Sequence, residues 1–278
     1  MPVPARAAQA DRVALAAPVF ISDLHLNAAQ PATHAAFARF LHEVAPQYAE
    51  LVILGDLFEY WAGDDSLDAG PPGNAADPDA GDAVGREVAA RLRVVADRGL
   101  RVFVMHGNRD LLLGRAFCEA AGVTLLADPT VATVGAGAGA SRELLAHGDA
   151  WCTEDRDYMR FRAQARDPAF QAQFLAQPLA ARKAFIGQAR AASEAGKAAK
   201  SMAIMDVTPA EVEGALRAAG VTRLIHGHTH RPATHWFTLD GAAAERWVLP
   251  DWDLDAAPAR GGYLGIADGR WQVTPVAP

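Results

Sequence analysis

The chain has 278 residues, 51% of them hydrophobic and 21% charged, an ordinary globular composition with enough apolar surface for a sizeable core. A formal net charge of −7 argues against a protein that coats nucleic acid, because neutralising phosphates takes clustered positive charge. No apolar run approaches the ~20 residues that span a bilayer, and the two cysteines, Cys118 and Cys152, lack metal-type spacing and read as reduced thiols.

Residues 1–17 are rich in Ala and Pro and read as a disordered leader; their short apolar run is broken by charge, so no secretory signal is expected. Val19-Phe20-Ile21 then reads as a buried strand. Thr33 to Val44 follows Pro31 and carries Phe37, Phe40 and Leu41 on one helical face. Leu51 to Leu54 is a second buried strand. Residues 62–82 cannot bury a core and read as a mobile acidic loop. A helix over Ala83 to Ala96 is ended by Gly99 and followed by a third strand, Val102 to Met105. Leu144-Leu145 is a fourth. Residues 153–207 are long, mostly helical and without a strand, so they read as a cap inserted into the core. A helix from Pro209 to Ala219, with Thr208 as N-cap, leads to a fifth strand at Leu224-Ile225. Thr234 to Leu239, Glu245 to Leu249, Tyr263 to Ile266 and Trp271 to Thr274 form an antiparallel ending with turns at Asp240-Gly241 and Asp268-Gly269. Alternating strands and helices imply an α/β layered core, a single domain over residues 18–278.

Each of the five apolar runs ends in metal-type side chains: Asp23 and His25, Asp56, Asn108, His147, and His228 and His230. In an α/β sheet the carboxyl ends of parallel strands open on one crevice, so these seven residues can meet in space. The DxH and HxH spacings are expected to put both side chains on one side of an extended turn. A lone His at a strand end is an ordinary hydrogen-bonded residue; the coincidence at five strand ends carries the argument. Carboxylate, imidazole and amide oxygen suit Mn, Fe or Zn better than Mg or Ca. Seven donors are too many for one tetrahedral ion and fit two ions ~3.5–4 Å apart with a bridging carboxylate.

With these residues the chain resembles the calcineurin-like metallophosphoesterases, whose motif is DxH, GD, GNxx, H and GHxH in this order. The longer stretches ISDLHL, LVILGDLFEYWAGDD, HGNRDLLLG, HGDAWCTED, KSMAIMDV and LIHGHTHRPA, within roughly residues 18–237, are similar to one branch of that family. The resemblance implies a layered α/β fold: a β-sandwich core flanked by helices, with a helical cap insertion. It implies two Mn2+, one held by Asp23, His25, Asp56 and His230 and the other by Asp56, Asn108, His147 and His228, with Asp56 bridging. Asp56, Asn108, Arg109 and His147 would be catalytic. Substrate contacts would fall on Asn108, Arg109, Asp155, Ser193, Lys197, Lys200 and His228, with Tyr158 nearby. Lys197 departs from the branch, which has Asn there.

The implied substrate is built of uridine, a diphosphate, a glucosamine and two acyl chains, and is cleaved at the phosphorus next to uridine. A cytoplasmic protein is expected, peripheral on the inner membrane through contact of basic cap residues with anionic lipids, with no nucleic acid, given the net charge of −7, and no stable protein partner. In the cap, Phe161, Phe170, Phe174, Leu175, Leu179, Phe185 and Ile186 recur at helical spacings and either pack cap helices together or line an acyl groove. Arg160, Arg162, Arg166, Arg182, Lys183 and Arg190 are either solvated helix faces or lean on anionic headgroups. Many relatives carry His where this chain has Arg109. An arginine, with a pKa above ~12, cannot protonate an alkoxide. A sugar phosphate with a second pKa near ~6 departs without such help, leaving Arg109 to clamp a diphosphate. Rival readings are a phosphoesterase for soluble nucleotides or phosphoesters, a non-catalytic scaffold on the same fold, and a nuclease. The complete donor set speaks against the scaffold, and the charge and Arg109 against the nuclease.

Overall fold

The computed structural model describes residues 11–68, 80–197, 206–267 and 269–277. Two six-stranded sheets face each other. One runs β1 (Asp11–Leu15), β6 (Thr130–Val134), β7 (Ser141–Ala146), β8 (Arg223–His226), β10 (Ala242–Val248), β9 (Ala233–Leu239). The other runs β12 (Arg270–Pro275), β11 (Gly262–Ala267), β2 (Pro18–Ile21), β3 (Glu50–Ile53), β4 (Arg101–Met105), β5 (Thr124–Leu126). Strands β2 to β5 are parallel, as is the pair β7 and β8, so their carboxyl ends can supply one crevice.

Alternation along the strands explains the layers. Phe20, Val52, Leu54, Phe103 and Met105 pack inward with Ala132, Val134, Leu145 and Ile225 of the opposite sheet. Their neighbours Val19, Ile21, Leu51, Ile53 and Val104 point outward and pack under helices α1 (Pro31–Arg39, continued as a π turn over Phe40–Val44), α2 (Ala80–Asp97) and α3 (Arg115–Ala121). Leu144 and Leu224 do the same under Val212 and Leu216 of α7 (Pro209–Ala219). Both faces are therefore buried, which is why these strands read as unbroken apolar runs. Between β7 and α7 lie α4 (Arg156–Ala165), α5 (Pro168–Leu175) and α6 (Leu179–Lys197), with no strand among the described residues of this stretch. The expected layered α/β core with an inserted helical segment is what the structure contains.

Two expectations need correction. Asp11–Leu15, expected in a disordered leader, forms β1 and pairs in parallel with β6. Val13 and Leu15 alternate toward the inter-sheet core, and Leu15 is buried. Residues 1–10 lie outside the described residues. The acidic stretch is anchored at both ends: Asp64–Asp68 is a 3-10 turn and Asp82 already belongs to α2, while residues 69–79 lie outside the described residues. The hairpin turn at Asp240-Gly241 has the expected left-handed backbone, with φ of 52° and 85°. Among the described residues no helix is long and apolar enough to cross a membrane.

Candidate metal centre

All seven predicted donors lie just beyond strand ends: Asp23 and His25 after β2, Asp56 after β3, Asn108 after β4, His147 after β7, and His228 and His230 after β8. Five of them adopt left-handed backbone, with φ of 55° at Asp23, 48° at His25, 52° at Asp56, 68° at His228 and 52° at His230. The expected extended turn is thus wrong. The chain reverses sharply at alternate residues and so throws both side chains of each pair toward one point. Such conformations cost ~1–3 kcal/mol each and persist only where surrounding bonds hold them. Here Asp23 N–H donates to Gly55 O at 3.1 Å, His25 N–H to Asp56 O at 3.0 Å, and Gly227 N–H to His147 O at 3.0 Å. A methyl group on Gly107 would strike the Asp56 carboxylate, and one on Gly227 would strike Ser22 and Asp23, so both positions require glycine. Asp110, which sequence reasoning passed over, is fully buried and accepts from Leu57 N–H at 2.7 Å and Gly107 N–H at 2.8 Å, joining the β3 and β4 loops.

The donors form two groups. In Asp23, His25 and His230, and again in Asp56, His147 and His228, one donor atom from each residue falls within 4.8 Å of the others. Asp56 Oδ2 lies between the groups, 3.8 Å from His25 Nε2 and 3.7 Å from His147 Nε2. His25 and His230 bring their Nε2 atoms to 3.1 Å, and His230 Nε2 is 3.5 Å from Asp23 Oδ1. Asn108 Oδ1 sits 3.1 Å from His147 Nε2 and 2.9 Å from His228 Nδ1. Nitrogen and oxygen donors converging on two points, with one carboxylate oxygen between them, fit a pair of divalent cations. The structure brings the seven expected donors together, with Asp56 between the two groups and Asn108 beside His147 and His228.

Electrostatics point the same way. Burial alone would lower the His147 pKa, but Asp56, Asp23 and Asp149 outweigh it and raise it to about 9. His228, whose ring centroid is 4.9 Å away, is pushed down to about 4, by burial first and then by charged His147. Burial would raise Asp23, yet His230, His147 and His25 bring it well below the usual carboxylate range. The negative potential that holds a proton on His147 is the potential that favours a cation in its place.

Around the donors, the cap is tied to the core by its basic residues. Buried Asp149 Oδ2 accepts from Tyr158 Oη–H at 2.7 Å, Arg162 Nε–H at 2.9 Å and Arg166 Nη2–H at 3.4 Å. The Tyr158 ring lies 5.7 Å from that of His228. Arg182 pairs with Asp65 and Ala62 O, Lys183 with Asp82, and Arg190 with Glu59. Of the six basic residues expected on solvated or lipid-facing surfaces, only Arg160 stands out in solvent, beside Asp157 on its own helix. The other five face acids of the core, and this corrects the expectation. Glu59 is a second residue missed in the sequence. Its Oε2 is 3.0 Å from His25 Nδ1 and its Oε1 is 3.7 Å from Arg109 Nη1.

The predicted substrate residues divide. Arg109 is at the rim, its backbone N–H donating to Asp56 Oδ1 at 2.8 Å. Tyr158 and His228 are adjacent there. Asp155 accepts from Tyr158 N–H at 3.0 Å and so caps α4. The side chains of Ser193 and Lys197, and Lys200 altogether, lie outside the described residues. Of the apolar cap residues, Phe174 is buried against Phe170 and Phe185, whereas Phe161, Leu175 and Phe185 are 46%, 42% and 49% exposed. Part of the set packs helices together and part is exposed.

Comparison with known proteins adds to this geometry. The sequence profile of the calcineurin-like phosphoesterases matches residues 18–232. The chain is 46% identical to the UDP-2,3-diacylglucosamine hydrolase of Bordetella parapertussis, with 92% of this chain and 94% of that one aligned. It is 47% identical to the protein of that name from Chromohalobacter salexigens, over 90% and 93% of the two chains. It is 49% identical to the one from Xanthomonas axonopodis pv. citri, over 84% and 90%.

Proposed function

The chain belongs to the calcineurin-like phosphoesterase family, and from that membership we propose that it hydrolyses UDP-2,3-diacylglucosamine to UMP and 2,3-diacylglucosamine 1-phosphate, a step of lipid A biosynthesis. The observation that carries the reaction class is the pair of donor groups meeting at Asp56 Oδ2. The choice of substrate is supported by similarity to relatives of that name over nearly the whole chain.

Two divalent ions, which we take to be Mn2+, would be held by Asp23, His25, Asp56 and His230 and by Asp56, Asn108, His147 and His228, and would supply an activated water and neutralise phosphoryl charge. The protein's own groups do the rest. Asp56 keeps the two donor groups in register, and its other oxygen fixes the Arg109 backbone. The guanidinium of Arg109, the residue next to Asn108, clamps the diphosphate and the charge that builds on it. Asp149 holds Tyr158 against His228, forming one wall for the substrate. Asp155, Ser193, Lys197 and Lys200 complete the contacts from the cap side, with Lys197 supplying a cation where the branch has an amide. The exposed Phe161, Leu175 and Phe185 receive acyl chains and give weak, peripheral contact with the cytoplasmic face of the inner membrane.

Hydrolysis in 18O-labelled water tests the chemistry. Label in UMP is expected, from attack on the phosphorus next to uridine; label in the sugar phosphate would contradict it. Arg162, Arg166, Arg182, Lys183 and Arg190 are engaged within the protein, so vesicle flotation should be weak and little changed by salt. No flotation at any lipid composition would remove the membrane contact.

A further inference from the structure

Two carboxylates outside the seven donors stand behind the imidazoles of one donor group. His25 and His230 turn their Nε2 atoms inward, 3.1 Å apart, and present their Nδ1 atoms outward. Glu59 Oε2 lies 3.0 Å from His25 Nδ1, and Asp251 Oδ2 lies 3.7 Å from His230 Nδ1. The other group is built differently: His147 Nδ1 lies 2.9 Å from Leu54 O, a neutral backbone carbonyl. A carboxylate hydrogen-bonded to the outer nitrogen fixes the tautomer that leaves Nε2 free to bind a cation, orients the ring and makes it more basic; Glu59 is close enough to do this for His25, whereas Asp251, at 3.7 Å, acts on His230 through its charge.

Both carboxylates are themselves held. Arg190 of α6 pairs with Glu59, and Arg109 Nη1 is 3.7 Å from it. Arg260 Nε–H donates to Asp251 Oδ2 at 3.2 Å, while Trp252 N–H, next in the chain, donates to Asp23 O at 2.9 Å. The segment after β3 and the segment after β10 thus grip one donor group from two sides. The second segment lies in the part of the chain to which sequence reasoning assigned no function.

We propose that Glu59 and Asp251 are positioning residues that make the Asp23, His25 and His230 group the tighter of two cation sites, so that it fills first. This rests on the dinuclear reading given above. It gives the C-terminal strands a role at the centre: they carry Asp251 and Arg260 into place. It also makes Glu59 a shared partner of the cap, through Arg190, and of His25.

The test is a Mn2+ titration of metal-free protein, read by electron paramagnetic resonance of free Mn2+ and by elemental analysis, on wild type, Glu59→Gln and Asp251→Asn. Both substitutions keep side-chain shape and remove charge. Wild type should bind two ions in two resolved steps. Each variant should weaken the tighter step by ~10–100-fold and leave the weaker step in place. Arg190→Ala, which removes the cap's hold but not the Glu59 to His25 contact, should keep both steps. Glu59→Asp should recover part of the lost affinity. Should one amide variant fail to fold, the other reads the same site independently. Two wild-type steps with unchanged variants would overturn this inference alone, as would equal weakening of both steps. A wild type that binds a single ion would overturn the dinuclear reading and this inference together.

Discussion

Asp56 reaches both donor groups, so its removal should be felt by both. Asp56→Ala is expected to abolish turnover; near wild-type activity in a steady-state assay would refute its place between the groups. Arg109 is a different kind of residue, aimed at charge rather than at a cation. Arg109→His should lower kcat/KM for the diphosphate by about 10²-fold, the scale of losing one well-placed charge-stabilising group. Full activity in that variant would refute the clamp. At this scale the seven donors were legible because each interrupts an apolar run at its end. Glu59, Asp110, Asp149 and Asp251 were not. An acid in a loop looks like any solvated turn until the fold shows which nitrogen it faces. The left-handed backbone at five donors was equally hidden, since only the assembled loops force it.

Strands β2, β3, β4, β7 and β8 were readable because burial on both faces leaves a continuous apolar signature. The elements β1, β5, β6 and α3 were missed because each mixes polar or exposed positions with apolar ones and so lacks a continuous apolar run. The cap helices were readable as helices, but what their basic residues face was not. Arg162 and Arg166 converge on Asp149, with Asp128 Oδ2 3.9 Å from each. Burial and then Asp149 raise the Asp128 pKa, while His147, Arg166, His228 and Arg162 overcome burial and keep Asp149 ionised. Asp149→Asn leaves two half-buried guanidiniums short of a counter-charge. It should cost about 3 kcal/mol of stability and loosen α4, which denaturant unfolding and proteolysis of the cap would measure. Unchanged stability and protection would show that α4 is held elsewhere.

Across the molecule, the uneven charge seen in the sequence resolves into internal complementarity. Residues 62–85 hold six Asp and no Lys or Arg, and residues 159–200 hold eight Lys or Arg and two acids. Two of those Asp meet the other region, Asp65 with Arg182 and Asp82 with Lys183, while Asp64 accepts from backbone N–H groups at the start of α3. A patch that reads as a surface for anionic lipids in one dimension is, in three, the joint between cap and core. The donor groups at the carboxyl ends of the strands, the cap tied to the core by these pairs, and the exposed phenylalanines on that cap are the surfaces that the proposed substrate would meet. The most direct measurement is a Mn2+-dependent rate comparison between UDP-2,3-diacylglucosamine and a simple aryl phosphate at equal enzyme. Rapid release of UMP from the first and little turnover of the second are expected from this substrate assignment. Equal rates on both would contradict it.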